Sequence, residues 1–388
     1  MAVQPPLPPP SPFLRADLVD RVVMLTRFGG PEGLVLTERP MPIPGPGEIL
    51  VRVLAASVQS SDTLLRAGKY PEHHAKPPLV LGYDVVGEIV AFGPRDGEPS
   101  PLHLGDRVAD LTVTGSHARY RSLSAKSVVR VPDGLDAGEV VSLVLSYVAA
   151  WQLLHREARV RTGQRVLVHG AAGSVGLALL ALGKLAGLEM WGTARADHAA
   201  VVRAAGATPV DYRVDCRTLR ADGFDVVFDG IGEDGFERSW ECVAKGGTLM
   251  AYGCTSGAAK GTAMAVIAWW VLRLQLWHAF GRDRSARFYS INAMRKSHPD
   301  WYRADLARLL SMLAAGTIHP RIADRIGFDG VANAHRRLEA GGLEGKIILY
   351  PWGEDRVARD LRNTLTTDTN TPYIDTRSTP TGGPRRPA

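Results

Sequence analysis

Short apolar runs separated by glycine and proline characterise the chain between residues 21 and 140. Runs of this length are typical of β-strands, and turn-forming segments such as Gly29-Gly30-Pro31 stand between them. A series of short strands of this kind predicts a small, partly open, β-rich barrel over residues 21–140. The predicted strands cover residues 22–25, 34–36, 49–54, 85–92, 107–111 and 128–131.

From residue 137 the pattern changes to longer apolar runs with helical spacing, beginning with residues 139–154. Predicted strands and helices then alternate along the chain. This alternation predicts a parallel sheet that is covered by helices on both faces, and we place this domain at residues 141–285. The alternating elements lie at residues 165–169, 174–186, 189–193, 198–205, 210–212, 225–229, 235–243 and 248–252.

The last part of the chain, residues 286–353, contains an amphipathic helix over residues 302–315, a second helix over 332–340 and a strand over 347–350. Both ends of the chain have a different composition. Residues 1–20 hold six prolines, which favour an extended, disordered tail. Residues 354–388 are rich in threonine, arginine and proline, and we expect this segment to be disordered as well.

Residues 263–280 form the most apolar stretch, an insertion that contains three tryptophans. At 18 residues it is marginal for a membrane span, and Arg273 and His278 lie in its second half. We therefore favour an interfacial or pocket-covering helix over a spanning one. Because Trp269, Arg273 and Trp277 share one helical face, we expect this stripe to pack against protein.

Composition narrows the class of protein. The net charge is +6, of which the segment 356–388 supplies +3 through six arginines and three aspartates, so the rest of the chain is nearly balanced. No basic run with interleaved aromatics indicates nucleic acid. Cys216, Cys242 and Cys254 lie far apart, predict no disulfide framework and are too few for a four-cysteine zinc site. No signal peptide is indicated, and a reducing cytoplasm is the expected location.

A glycine-rich turn at residues 166–176 carries the strongest functional signal. Apolar residues run into Gly170, Gly173 and Gly176, and a helical pattern follows. A strand that turns sharply into a helix lets phosphate oxygens approach free backbone N–H groups. The turn therefore predicts a dinucleotide site. Besides the glycines, this site includes Ala172, Ser174 and Val175.

The next strand ends in Thr193-Ala194-Arg195, where proteins that bind NAD usually have a carboxylate for the ribose hydroxyls. A cation and a hydroxyl at this point favour the extra phosphate of NADPH. Tyr212, at the end of the third strand, is a further candidate for this end of the cofactor. Two alternatives remain open: Arg195 is a solvated surface arginine, or Asp197 is the ribose-binding acid displaced by two positions.

Taken together, these motifs resemble those of the zinc-free medium-chain dehydrogenase/reductases, in the quinone oxidoreductase (zeta-crystallin-like) branch. The resemblance covers roughly residues 21–353. It implies an α/β protein in which a Rossmann domain is joined to a GroES-like β-rich catalytic domain, with residues 286–353 returning to complete the latter. The motifs are Gly29-Gly30-Pro31-Glu32, residues 46–51, Gly82-Tyr83-Asp84-Val85-Val86-Gly87, Gly105-Asp106-Arg107-Val108, residues 170–176 and residues 345–349.

The resemblance also implies which residues surround the reacting groups. Positions that hold zinc ligands in zinc-dependent members match Gln59, Tyr83 and the neighbourhood of Ser146 here, and none of these is a soft ligand, so no metal is expected. Gln59, Tyr70 and Tyr83 become the catalytic candidates, with a phenol polarising a carbonyl or delivering a proton. The alternative for each tyrosine is a lining aromatic. The segments expected to meet the nicotinamide carboxamide contain Gly253, Ser256, Phe288 and Tyr289.

The expected function is transfer of hydride from NADPH to a quinone or to an activated C=C bond conjugated with a carbonyl, without zinc. Two alternatives remain: an enoyl reductase of a biosynthetic pathway acting on a larger substrate, or a cofactor-binding protein that attaches to a membrane or partner through residues 263–280. The family resemblance suggests a homodimer.

Overall fold

The computed structural model describes residues 18–70, 75–94, 101–254 and 264–353. The two predicted tails therefore lie almost entirely outside the described residues, as does Ser256. Sixteen strands are present in the described ranges. They are β1 (Val19–Leu25), β2 (Leu34–Pro40), β3 (Glu48–Val58), β4 (Leu79–Val80), β5 (Asp84–Phe92), β6 (Arg107–Leu111), β7 (Tyr120–Ser124), β8 (Val129–Arg130), β9 (Arg165–His169), β10 (Glu189–Ala194), β11 (Thr208–Asp211), β12 (Phe224–Asp229), β13 (Val243–Ala251), β14 (Ser285–Phe288), β15 (Ile322–Ile326) and β16 (Lys346–Leu349).

The helices alternate with the strands in the second half of the chain. One of them, α2 (Ala137–Glu157), contains two π-helical turns, Leu143–Tyr147 and Gln152–Glu157. The α-helices are α1 (Ser60–Arg66), α2 (Ala137–Glu157), α3 (Ser174–Leu185), α4 (Ala199–Ala204), α5 (Glu237–Glu241), α6 (Met264–Phe280), α7 (Ile291–Ser297), α8 (Pro299–Ala314) and α9 (Val331–Ala340).

The β-rich domain contains a three-stranded sheet, β2-β1-β4, and a larger sheet in the order β15-β16-β3-β5-β6-β8, with β7 paired to β3. The chain returns to this domain after the Rossmann domain, because β16 pairs antiparallel with β3 and β15 pairs with β16. Lys346 of β16 forms a buried ion pair with Asp84 of β5 at 2.8 Å. This pair links the last strand to β5 across the intervening strand β3.

The Rossmann domain is a six-stranded sheet in the order β11-β10-β9-β12-β13-β14, in which every pairing is parallel. The strand order reverses between β9 and β12, the topological switch point where such sheets bind ligands beyond the carboxyl ends of their strands. The sixth strand, β14, ends at Phe288, so this domain extends a few residues past the expected boundary at residue 285.

Helix α2 connects the two domains through the core. It packs against β3 and β5 of the β-rich domain and against α3 of the Rossmann domain. Within the described residues it is the one helix long and apolar enough to cross a membrane, but 83% of its apolar window is buried inside the fold. Core packing therefore accounts for its apolar composition.

Two expectations about the Rossmann domain are wrong. Cys216 and Cys242, 26 residues apart in sequence, form a disulfide with their Cα atoms 6.0 Å apart, because the chain after β11 and the end of α5 meet on one side of the sheet. The tryptophan stripe of α6 also does not pack as a unit. Trp277 stacks on Trp240 with ring centroids 5.0 Å apart, whereas Trp269 is 53% exposed.

Candidate active site

The glycine turn connects β9 to α3 at the switch point. Gly170 has a φ of +70°, which disfavours side chains, and Gly173 is the N-cap of α3 without a side-chain capping bond. A Cβ atom at Gly176 would lie 2.5 Å from the Gly170 carbonyl oxygen and 2.7 Å from that of Ala171. The turn thus packs closely against the first residues of α3, and no side chain of the described residues caps the N–H groups at the N-terminus of this helix. This cradle fits a dinucleotide diphosphate.

A cavity of about 320 Å³ lies on one side of this turn. Thr193, Arg195 and Tyr212, which we expect from the sequence at the 2′-phosphate end of the cofactor, line this cavity together. Arg195 forms an exposed ion pair with Asp197 at 2.7 Å, so the two residues between which the sequence left a choice are in contact. Arg238 of α5 also lines the cavity and was missed, since nothing in the local sequence places α5 beside β10.

His169 and Asp229 stand at the ends of the neighbouring strands β9 and β12. The Asp229 carboxylate accepts bonds from the Ile231 N–H at 2.8 Å, the Gly232 N–H at 3.1 Å and the Ser239 hydroxyl at 2.6 Å. It therefore holds the turn that faces the glycine turn. Burial lowers the pKa of His169, so its imidazole is neutral, and its Nε2 has no protein partner within the described residues.

A second cavity of about 460 Å³ continues from the first and shares His169, Gly170 and Ile231 with it. It lies between the domains. The glycine turn forms one wall and α1 with its preceding loop forms another, while α6 contributes Ile267 and Val271. The sequence-predicted residues on its walls are Gln59, Tyr70, Tyr83, Gly170, Gly173, Ser174, Val175, Gly176, Gly253, Phe288 and Tyr289. The remaining described candidate, Ala172, is buried and lines neither cavity.

Gln59 is the N-cap of α1 and is 6% exposed, yet its side-chain oxygen and nitrogen both lack a protein partner within the described residues. Asp62 fixes its backbone: the carboxylate accepts the Gln59 N–H at 3.0 Å and the Gly82 N–H at 3.1 Å. Burial raises the pKa of Asp62 to about 6. Because unpaired buried amides are costly, the Gln59 side chain is set up to bind a ligand.

The two candidate tyrosines are in direct contact. Their hydroxyl oxygens are 2.7 Å apart and their rings pack edge to face with centroids at 6.0 Å. Tyr83 is 1% exposed, whereas Tyr70 is half-buried. The side-chain amide nitrogen of Asn292, in the first turn of α7, donates to Tyr83 Oη and lies 3.4 Å from Tyr70 Oη. Asn292 was missed because it is 209 residues from Tyr83 in sequence.

The residues predicted for the nicotinamide end differ in their environments. Gly253 follows β13, and a Cβ atom there would lie 2.8 Å from the Gly230 carbonyl oxygen, so the backbone faces the cavity without a side chain. Phe288 is 38% exposed at the cavity wall. The Tyr289 hydroxyl points away and donates to Gln152 Oε1 at 2.8 Å in the core. Tyr289 therefore contributes its ring and backbone to the wall.

The donor set around this cavity differs from that of a metal site. Within the described residues, no three His, Cys, Asp or Glu side chains come together in a way that could hold a metal ion. Gln59 and Tyr83 both line the cavity. An amide and a phenol are poor ligands for zinc.

The chain is similar to known dehydrogenases and reductases. Residues 45–133 match the family model for the alcohol dehydrogenase GroES-like domain, and residues 205–349 match the zinc-binding dehydrogenase model. A quinone oxidoreductase of Pseudomonas aeruginosa is 29% identical over 341 residues, which cover 85% of this chain and 99% of that protein. A 2-haloacrylate reductase from a Burkholderia species is 28% identical, covering 84% of this chain and 98% of that protein.

Among solved structures, the mycobacterial protein Rv1454c complexed with NADPH is 28% identical, with a TM-score of 0.74 and coverage of 86% of this chain and 100% of that one. The fold, the site and these similarities define the class. The chain belongs to the medium-chain dehydrogenase/reductase family of oxidoreductases, with a Rossmann domain that binds a nicotinamide cofactor. Within that family it falls in the quinone oxidoreductase branch.

Proposed function

We propose that the protein is an NADPH-dependent reductase that transfers hydride to a quinone or to a C=C bond conjugated with a carbonyl, without zinc. One observation carries the proposal: the cavity beside the glycine turn presents the unpaired Gln59 amide and two phenol hydroxyls, which are neutral hydrogen-bonding groups. Such groups suit an acceptor whose own carbonyl takes up negative charge. The relatives named quinone oxidoreductase and 2-haloacrylate reductase support this class of acceptor.

The bound nicotinamide would supply the hydride, and the chain would orient and protonate the acceptor. The free N–H group of Gln59 can donate to the acceptor carbonyl, so that charge developing on the oxygen meets a fixed donor. Tyr70 lies on the same cavity and is the more open of the two tyrosines. It is therefore the group we assign as the proton donor.

The acceptor is tested by measuring NADPH consumption against quinones, enones and enoyl thioesters. Replacing Gln59 with leucine removes one hydrogen bond to a charged oxygen and should lower kcat about 10- to 100-fold. Gln275→Leu, at an exposed position of α6 that lines neither cavity, is the matched control and should leave kcat unchanged. If no acceptor supports NADPH consumption, or if Gln59→Leu behaves like the control, the proposal fails.

For the choice of cofactor, Arg195 and Tyr212 would bind the 2′-phosphate, with Arg238 as an additional cation on the same cavity. Arg195→Ala should then weaken NADPH binding far more than NADH binding, measured by fluorescence titration. Arg303→Ala is the matched control, because Arg303 also pairs with a nearby aspartate, Asp300, at the surface and lines neither cavity. Equal losses for the two cofactors would refute the assignment.

The outer face of α6 favours attachment as a second function. Val266, Trp269, Leu272, Leu276 and Phe280 are each at least 40% exposed. Large exposed apolar surfaces mark sites of contact with a membrane or with protein, including a second copy of the same chain. Co-sedimentation with liposomes and sedimentation velocity, each with a Trp269→Ala variant, separate these partners. If neither measurement changes with the variant, this second function is ruled out.

A further inference from the structure

The Asn292 side chain on α7 contacts both candidate tyrosines, Tyr70 and Tyr83. Its position is set locally, because α7 begins directly after β14 and the Ser290 Oγ caps it by accepting the Ala293 N–H at 3.2 Å. The amide nitrogen reaches Tyr83 at the inner side of the cavity, and Tyr83 in turn reaches Tyr70. The three polar groups form a chain that leads from α7 to the cavity wall.

The direction of the hydrogen bonds in this chain follows from the donors available. An amide –NH₂ group can only donate, so Tyr83 Oη accepts from Asn292. Two hydroxyls in contact carry two protons and use one for the bond between them. If Tyr83 donates to Tyr70, all the bonds run in one direction and polarise one another. The hydroxyl proton of Tyr70 is then presented outward from the cluster.

We propose that Asn292 is a positioning residue that orients the Tyr83 and Tyr70 hydroxyls so that Tyr70 delivers its proton to the acceptor. This inference rests on the proposed function and adds a residue to it. Asn292 itself need not touch the acceptor. Its role is to donate a hydrogen bond to the Tyr83 oxygen, so that the Tyr83 hydroxyl in turn donates its proton toward Tyr70.

The step is balanced as follows. The bound nicotinamide would supply hydride to the carbon β to the carbonyl. The C=C electron pair would become the double bond between the α carbon and the carbonyl carbon, and the C=O pair would move onto the oxygen. The Tyr70 O–H bond breaks, the proton goes to that oxygen, and its electron pair stays on Tyr70. The Tyr83 proton then moves to Tyr70, which leaves the negative charge on the Tyr83 oxygen, where the Asn292 N–H stabilises it. A proton from water then restores the Tyr83 hydroxyl through Tyr70 and leaves hydroxide. The enol gives the saturated carbonyl compound when a proton adds to its α carbon as the O–H proton leaves.

Two variants of nearly equal size separate orientation from packing. Asn292→Leu removes the donor. Asn292→Asp replaces the donor with a carboxylate that accepts from Tyr83 and so reverses the bond. Asn333→Leu, at an exposed position in the first turn of α9, is the matched control.

We expect kcat to fall about 10- to 100-fold in Asn292→Leu and further in Asn292→Asp, with an increased solvent deuterium isotope effect. The NADPH dissociation constant should change by less than about 2-fold. The hydrogen bond between Asn292 and Tyr83 is made within the protein, so its loss should leave cofactor binding in the ground state intact.

A measurement without any ligand tests the same chain directly. In protein labelled with ¹³C at tyrosine Cζ, both Asn292 variants should shift the resonances of Tyr83 and Tyr70, and the control should not. Tyr83→Phe assigns one resonance, and adding Asn292→Leu to Tyr83→Phe should lower kcat by no more than about 2-fold further, because the shared interaction is already lost.

The results discriminate between the two proposals. If the wild-type protein consumes NADPH but the Asn292 variants keep their kcat, isotope effect and tyrosine resonances, the inference is overturned while the proposed function stands. The inference is also overturned if kcat falls equally in Asn292→Leu and Asn292→Asp and if the effects of Asn292→Leu and Tyr83→Phe on kcat are additive. That result would mean that Asn292 contributes only packing. If no acceptor is reduced by the wild-type protein, both fail.

Discussion

Replacing Gly173 with alanine tests whether the glycine turn binds a diphosphate. Gly173 has a φ of −71°, which alanine adopts readily, and a Cβ atom there would meet one protein atom, the Gly170 carbonyl oxygen, at an ordinary 3.4 Å. The free protein therefore accepts the methyl group. Alanine is a weaker N-cap than glycine, and we expect a loss of about 1 kcal/mol or less in the free energy of unfolding.

The cost should appear in cofactor binding. The methyl group projects from the N-cap of α3 into the cavity that Gly173 lines, where a diphosphate would approach the free N–H groups. Displacing the diphosphate weakens one or two hydrogen bonds to a charged group, each about 1.5–3 kcal/mol. This corresponds to a dissociation constant for NADPH that is at least about 10-fold higher.

The assay is fluorescence titration with NADPH, accompanied by thermal unfolding of the free protein. Gly45→Ala is the matched control: its Cβ atom would also meet its nearest neighbour, Glu48 Oε2, at 3.4 Å, and it lines neither cavity. It should leave the dissociation constant unchanged. If Gly173→Ala binds NADPH as tightly as the wild-type protein, the diphosphate does not lie on this turn.

Three further predictions concern stability. Gly176→Ala should destabilise the fold by about 1–3 kcal/mol in thermal unfolding, because the new Cβ meets two backbone oxygens at 2.5 and 2.7 Å and better helix propensity returns only about 1 kcal/mol; an unchanged midpoint would contradict the packing. Burial, with His117 and Arg66 nearby, lowers the pKa of His335 to about 3, so the unfolded chain binds a proton below about pH 6.5 while the folded protein does not. The free energy of unfolding should therefore fall by about 2 kcal/mol between pH 6.5 and 5, and His335→Leu should remove this part of the pH dependence in urea titrations. Cys242→Ser should cost about 3 kcal/mol by opening a disulfide loop of 26 residues, and a variant as stable as the oxidised wild-type protein would speak against the bond.

The sequence alone was sufficient to predict the two-domain architecture and the cofactor cradle. Strand and helix periodicity and the spacing of Gly170, Gly173 and Gly176 are local properties, and the backbone conformation they require depends on neighbouring residues. The parallel direction of the strands follows from the same pattern, since alternating strands and helices join parallel strands by crossovers of one hand. Family motifs then placed Gln59, Tyr70 and Tyr83 together, and all three line one cavity.

Only the tertiary structure decided which distant side chains meet. Asn292 contacts Tyr83 across 209 residues, Cys216 reaches Cys242, Arg195 pairs with Asp197, and the inner and outer faces of α6 separate Ile267 from Trp269. Such contacts depend on how helices and loops pack over the sheets, and no periodic pattern in the chain encodes them. Local sequence thus determines the conformation of the glycine turn, whereas packing between the domains brings together the groups that would act on the acceptor.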